Sequence, residues 1–208
     1  MSDHAGRVLG AVLYPNFELL DLYGPLEMFG CVGPDLRIVT VAGEPGPVAS
    51  WPGPTTVAEF GFDDCPHLDL ILVPGGVGTR SQLDTPIISF LRDRAPAAEV
   101  TMSVCTGSAL LAKAGLLDGR RATSNKMVFD FARSQGEKVD WVEEARWVED
   151  GPFVTSSGVS AGTDMALSVI ARLFGRERAD AIANLTEYEW QSDPGRDPFH
   201  RFLNQMMS

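Results

Sequence analysis

Short runs rich in aliphatic and β-branched residues recur along the chain at residues 8–14, 36–42, 69–73 and 100–104, each followed at once by Pro, Gly or Cys. Such runs, with little polar alternation, predict strands covered on both faces. Between them the apolar spacing becomes helical. Residues 19–31 carry Leu22, Leu26 and Phe29 on one face, with Gly24-Pro25 expected to kink or restart the helix, and residues 82–94 carry Leu83, Ile87 and Leu91 four apart. The Pro- and Gly-rich span 43–54 reads as an excursion, a small hairpin returning through residues 55–58. Further on, residues 109–114 predict a helix stopped by Gly115, 121–124 a short strand, 127–135 a helix and 145–156 two strands turning at Asp150-Gly151. Residues 159–174 predict a helix with Met165, Ala166, Val169, Ile170 and Leu173 inward, followed by a helix over 179–189 and a short amphipathic piece with Phe199, Phe202 and Leu203.

Strands alternating with helices imply an α/β fold, a mostly parallel sheet with helices on both faces and its functional crevice at the carboxyl ends of the strands. Three features converge on that edge: Asp21 just beyond the first strand, Pro74-Gly75-Gly76-Val77-Gly78 after the third, and Cys105 after the fourth. In Val100-Thr101-Met102-Ser103-Val104-Cys105-Thr106-Gly107-Ser108 the strand stops at Cys105 and small residues open a helix, as in a nucleophile elbow. The unpartnered N–H groups at a helix start favour negative charge, so Cys105 is expected to have a lowered pKa, in the range of roughly 3.5–7.5 found for such thiols. Each residue also has a plain reading. Cys105 fits as buried filler between strand and helix, Asp21 as an early-helix acid favoured by the dipole, and Thr106 as a first-turn residue. The glycines at 75, 76 and 78 point to close backbone approach, but neither phosphate-binding glycine spacing is met.

The 208 residues suffice for one domain spanning 1–208. Three cysteines, Cys31, Cys65 and Cys105, without Cys-x-x-Cys spacing, suggest neither a disulfide framework nor a zinc site, and so a reducing, cytoplasmic setting. A net charge of -11 argues against nucleic acid and anionic membranes as partners. Residues 8–14 are too short to span a bilayer. The three histidines are scattered: His4 on a tail, His67 in the Cys65-Pro66-His67 loop and His200 near the end.

Four motifs occur in order: Leu-Tyr-Pro-Asn-Phe-Glu-Leu-Leu-Asp-Leu-Tyr-Gly-Pro at 13–25, Val-Pro-Gly-Gly-Val-Gly at 73–78, Ser-Val-Cys-Thr-Gly-Ser at 103–108 and Ala-Gly-Leu-Leu-Asp-Gly-Arg-Arg-Ala-Thr at 114–123. Together they resemble the ThiJ/PfpI superfamily, and the Asp of the first with Cys-Thr-Gly of the third is similar to its isocyanide (isonitrile) hydratase branch. The resemblance implies a flavodoxin-like, class I glutamine amidotransferase-like fold, a homodimer, and cysteine chemistry with no metal or organic cofactor. It implies a mechanism as well. Cys105 attacks a small-molecule isocyanide, Asp21 supplies a proton, and backbone N–H groups around Gly76, Val77, Gly78 and Thr106 position substrate and stabilise charge, giving an N-substituted formamide. One departure stands out. Ser124-Asn125-Lys126 occupies the place where the branch often has Thr-His-Trp, which argues against a Cys-His amidase or peptidase. Aldehyde chemistry of the glyoxalase or deglycase kind on the same thiol, and a non-catalytic thiol sensor or ligand-binding module, are the alternatives. The chain ends at Ser208 without a basic recognition helix, which disfavours a DNA-binding regulator.

Overall fold

The structure, a computed structural model, describes residues 6–205. In chain order it comprises β1 (Arg7–Val12), α1 (Leu19–Gly30), β2 (Leu36–Val41), β3 (Gly46–Ala49), β4 (Thr55–Ala58), β5 (Leu70–Val73), α2 (Thr79–Gln82), α3 (Pro86–Arg94), β6 (Val100–Val104), α4 (Gly107–Lys113), β7 (Arg121–Ala122), α5 (Phe129–Arg133), β8 (Asp140–Trp141), β9 (Trp147–Asp150), β10 (Phe153–Ser156), α6 (Ala161–Phe174) and α7 (Arg176–Leu185). The central sheet has the order β2-β1-β5-β6-β10-β9. Its first five strands run parallel, and only β9 is antiparallel to its neighbour.

Every residue of β5 and β6 is buried, as required of strands with both faces covered. The covering follows from the connections. The crossover through α1 moves outward from β1 to β2, whereas that through α3 moves the opposite way, from β5 to β6. Right-handed crossovers in opposite directions place their helices on opposite faces. Accordingly α1 packs with α6, and α6 with α7, while α3, α4 and α5 form the other layer.

The structure departs from the periodicity in two places. First, α1 does not restart at Gly24-Pro25 but continues through them as one helix of 12 residues. Gly24 lies so close to α6 that a Cβ would stand 2.6 Å from Thr163 Oγ1, and this packing holds the segment helical across the proline. Second, the helix expected over 82–94 is two helices, α2 and α3, because Pro86 opens a new one and Thr85 before it is extended. The excursion is the hairpin β3–β4, and β9–β10 turns at Gly151 with φ +61°. The short strands β7 and β8 pair with each other, although only the first has a counterpart in the sequence pattern. Behind β10, a buried Arg146–Asp164 ion pair at 2.5 Å takes a further hydrogen bond from the Tyr188 hydroxyl to Asp164 at 3.0 Å, tying the C-terminal segment to the core. Among the described residues no helix is long and apolar enough to cross a membrane.

Candidate active site

Cys105 sits where β6 passes into α4, with φ +57°, a conformation a non-glycine residue adopts only when its surroundings impose it. The surroundings are visible. Its N–H donates to the carbonyls of Ser156 (3.2 Å) and Ser157 (3.3 Å), and its own carbonyl accepts from the hydroxyls of Ser108 (3.1 Å) and Ser124 (3.0 Å). Gly107 lets α4 begin directly against β5: a Cβ there would collide with the Val73 carbonyl oxygen and stand 2.9 Å from that of Pro74. The elbow read from the sequence is therefore present and braced from both sides of the sheet edge.

Asp21, in the first turn of α1, is fully buried beside the thiol. Its Oδ2 accepts the Gly75 N–H at 2.9 Å, while the buried Oδ1 receives no hydrogen bond. Gly75 is needed for this approach, since a Cβ would come within 2.5 Å of Thr106 N and 2.9 Å of Asp21 Oδ2. Burial pushes the Asp21 carboxyl well above the usual carboxylate range, against the Gly75 hydrogen bond that favours its ionised form. The expectation of a lowered Cys105 pKa is overturned. Burial first, and then the neighbouring Asp21 carboxylate, push the thiol up, outweighing the Thr106 N–H and the Asn125 and Thr106 side chains that favour thiolate. The two groups are close enough that a charge on one disfavours a charge on the other, so they titrate as a pair.

A cavity of about 490 Å³ opens over Cys105 and Thr106. Its lining includes Glu18, Trp51, Gly76, Val77, Arg80, Asn125, Val128, Phe131 and Val159. The Arg80 guanidinium stacks 4.0 Å from the Phe131 ring centre. The walls are mainly apolar and aromatic, suited to a small organic group. Of the backbone donors expected around the glycine turn, Gly76 N–H already donates to Thr106 Oγ1 (3.0 Å) and Gly78 N–H to the Asn16 carbonyl (3.1 Å). Gly78 does not line the cavity. Thr106 N–H is the backbone donor directed at the sulfur.

Asn125 is a site residue that the sequence marked only as a departure. Its Oδ1 accepts Met127 N–H at 2.9 Å, which turns Nδ2 toward Cys105. Nothing in the sequence gives Thr79 and Tyr14 a role in the site, although both hydroxyls lie buried behind Thr106. The histidines are elsewhere: His67 is exposed beside Asp69, His200 lies in the C-terminal turn, and His4 falls outside the described residues. Cys31 and Cys65 have pKa values raised by burial and lie off the cavity. Among the described residues, no group of three or more His, Cys, Asp or Glu side chains could hold a metal ion.

Comparison with known proteins bears on the family and the fold. Residues 7–172 match the DJ-1/PfpI family. Isonitrile hydratase from Pseudomonas putida is 37% identical over 185 residues, covering 86% of this chain and 78% of that protein. The HTH-type transcriptional regulator GbdR of Pseudomonas aeruginosa is 32% identical over 87% of this chain, which spans only 50% of the regulator's length. Among solved structures, a ThiJ/PfpI family protein from Pseudomonas syringae superposes with a TM-score of 0.83 at 34% identity, over 89% of this chain and 76% of that one. Drosophila melanogaster DJ-1beta, at 19% identity and a TM-score of 0.75, shares the fold. A flavodoxin-like sheet with a cysteine at its elbow, matched over most of its length by these relatives, makes this chain a member of the DJ-1/PfpI family.

Proposed function

We propose that the protein hydrates isocyanides to N-substituted formamides without a cofactor, with Cys105 as nucleophile and Asp21 as proton donor. The observation that carries the reading is the buried pairing of Asp21 with Cys105 at the base of an apolar cavity; the 37% identity to an isonitrile hydratase supplies the substrate class. An isocyanide presents a terminal carbon that is attacked by a nucleophile and must then be protonated. A buried carboxyl that keeps its proton beside a sulfur meets both needs.

The steps balance. The Cys105 thiolate forms an S–C bond to the terminal carbon, and Asp21 gives its proton to that carbon, leaving a thioimidate and an Asp21 carboxylate. Water then adds to the thioimidate carbon, and the Asp21 carboxylate takes a proton from it. Collapse breaks the C–S bond, the nitrogen acquires the second proton from water, and formamide leaves with thiolate and protonated Asp21 restored. Thr106 N–H and the Asn125 amide face the sulfur and stabilise its charge at the start and the end of the cycle. Val77 shapes the cavity wall beside Gly76. Among the described residues no histidine lines the cavity, which makes the general-base chemistry of a Cys-His pair the poorer reading. The homodimer and the cytoplasmic setting belong to the same proposal, and sedimentation of the purified chain tests the first.

The test is formamide formation from a panel of small aryl and alkyl isocyanides, followed by NMR of the formyl proton. Enzyme-dependent product is expected, most readily from aryl substrates that fill the apolar cavity. No product from any isocyanide would overturn the reading.

A further inference from the structure

We propose that Tyr14 and Thr79 are positioning residues: with Thr106 they form a buried relay of three hydroxyls that turns its donors toward Cys105 Sγ when the sulfur is charged and away from it when the sulfur is bonded. The inference rests on Cys105 being the nucleophile, as above, but not on the identity of the substrate.

The relay is continuous. Tyr14 Oη lies 2.7 Å from the Pro74 carbonyl oxygen and 3.0 Å from Thr79 Oγ1, and Thr79 Oγ1 lies 2.8 Å from Thr106 Oγ1. The Thr106 hydroxyl in turn reaches the sulfur. All three side chains are buried, so no solvent competes for these bonds. They come from separate parts of the chain: Tyr14 follows β1, Thr79 opens α2 and Thr106 begins the elbow helix.

Each hydroxyl has one hydrogen and two lone pairs, which limits the arrangements. Thr106 Oγ1 already accepts the Gly76 N–H at 3.0 Å. If Thr79 also donates to it, both lone pairs are filled and the Thr106 hydrogen is directed to Sγ. If instead Thr79 donates to the Gly76 carbonyl, 2.8 Å away, Thr106 can turn back toward Thr79 or toward the same carbonyl at 3.4 Å. Tyr14 keeps its own proton throughout, because burial and the neighbouring Asp21 and Cys105 disfavour its anion, and it can donate to Pro74 or to Thr79. Switching needs only hydroxyl rotation, with no movement of heavy atoms. A chain of hydrogen bonds aligned on an anion strengthens each of its links, so the far hydroxyls contribute to the thiolate they do not touch.

The experiment is alkylation of Cys105 by iodoacetamide across pH, read at the Cys105 peptide by mass spectrometry, in the wild type, Thr79→Val, Thr79→Ser and Tyr14→Phe. The charged and titratable groups facing the sulfur or its cavity are Asp21, Glu18 and Arg80, with Tyr14 behind, and all except Tyr14 are common to every variant. Thr79→Val removes the middle hydroxyl at nearly constant shape, so the rate–pH profile should move to higher pH and alkylation at pH 7 should fall by roughly threefold to tenfold, as for loss of an ordinary neutral hydrogen bond. Thr79→Ser should restore the wild-type profile, and Tyr14→Phe should give a smaller shift in the same direction. Superimposable profiles for the wild type, Thr79→Val and Tyr14→Phe would overturn the relay. Should Thr79→Val not fold, Tyr14→Phe against wild type decides alone. A shifted profile in a protein that hydrates no isocyanide supports the relay and removes the isocyanide reading; isocyanide turnover with unshifted profiles does the reverse.

Discussion

Gly158 faces the Asn125 amide with no room for a side chain between them: a Cβ on Gly158 would collide with Asn125 Nδ2 and stand 3.2 Å from Cys105 Sγ. Because Met127 N–H fixes Asn125 Oδ1, the amide cannot turn over without losing that bond. Gly158 does not have positive φ, so its backbone tolerates alanine. Gly158→Ala is therefore expected to fold normally but to push the amide off the sulfur, lowering formamide turnover by about tenfold, the effect of losing one hydrogen bond to a charged group. Thermal unfolding and steady-state kinetics on the same preparation separate the two effects.

Asp21→Asn can keep the Gly75 hydrogen bond through its amide oxygen but offers no acidic proton. Turnover should fall by at least about a hundredfold, the lower range for loss of a general acid. Stability should move the other way. The folded-state pKa of Asp21 is raised above its ordinary 3.8, so between that pH and the folded value the native chain holds a proton that the unfolded chain releases, and the residue costs stability increasingly as pH rises. The asparagine variant should thus resist urea better than wild type at pH 7, and the advantage should vanish below about pH 4. Equal urea midpoints at pH 7 would contradict the assigned shift.

The sheet, the elbow and the convergence of Asp21, the glycine turn and Cys105 were legible because short apolar runs ending in Pro, Gly or Cys encode buried parallel strands with a functional carboxyl edge. The state of the thiol was not. Helix-start N–H groups act locally, whereas the deciding effects, burial and the Asp21 carboxylate, come from packing α1 against the elbow. Tyr14 read simply as the last apolar residue of the first run, and nothing in its neighbours shows that its hydroxyl turns toward Thr79. Lys126 is equally opaque: nothing in Ser124-Asn125-Lys126 shows that its ammonium is buried.

Lys126 Nζ donates to Thr123 Oγ1 (2.8 Å) and the Ala145 carbonyl (2.7 Å), with Asp197 Oδ2 at 3.8 Å as its counter-charge. It anchors the segment that carries Asn125 to the C-terminal turn. Lys126→Met leaves the Asp197 carboxylate uncompensated and should cost about 3–5 kcal/mol in urea unfolding, with part recovered by adding Asp197→Asn. Burial lowers the lysine pKa to about 8 from 10.5, so between these values the unfolded state binds more protons. Wild-type stability relative to Lys126→Met should accordingly rise with pH across that window, by at most about 1.4 kcal/mol per pH unit. A flat difference would contradict the lowered pKa.

Gly107→Ala would force a Cβ against the backbone carbonyls of Val73 and Pro74, neither of which can swing aside as a side chain could. We expect a loss of about 1–3 kcal/mol in unfolding free energy, typical of overpacking, and slower Cys105 alkylation as the elbow shifts. Gly115, with open space around it, serves as an internal contrast for the steric part: its φ of +77° disfavours alanine, but no neighbour is displaced.

The most direct measurement compares formamide production by wild type and Cys105→Ala on the same isocyanide at equal protein concentration. The account predicts turnover by the wild type and a loss of at least about a thousandfold in the variant, in the range expected when a covalent nucleophile is removed. Equal turnover by the two proteins would contradict it.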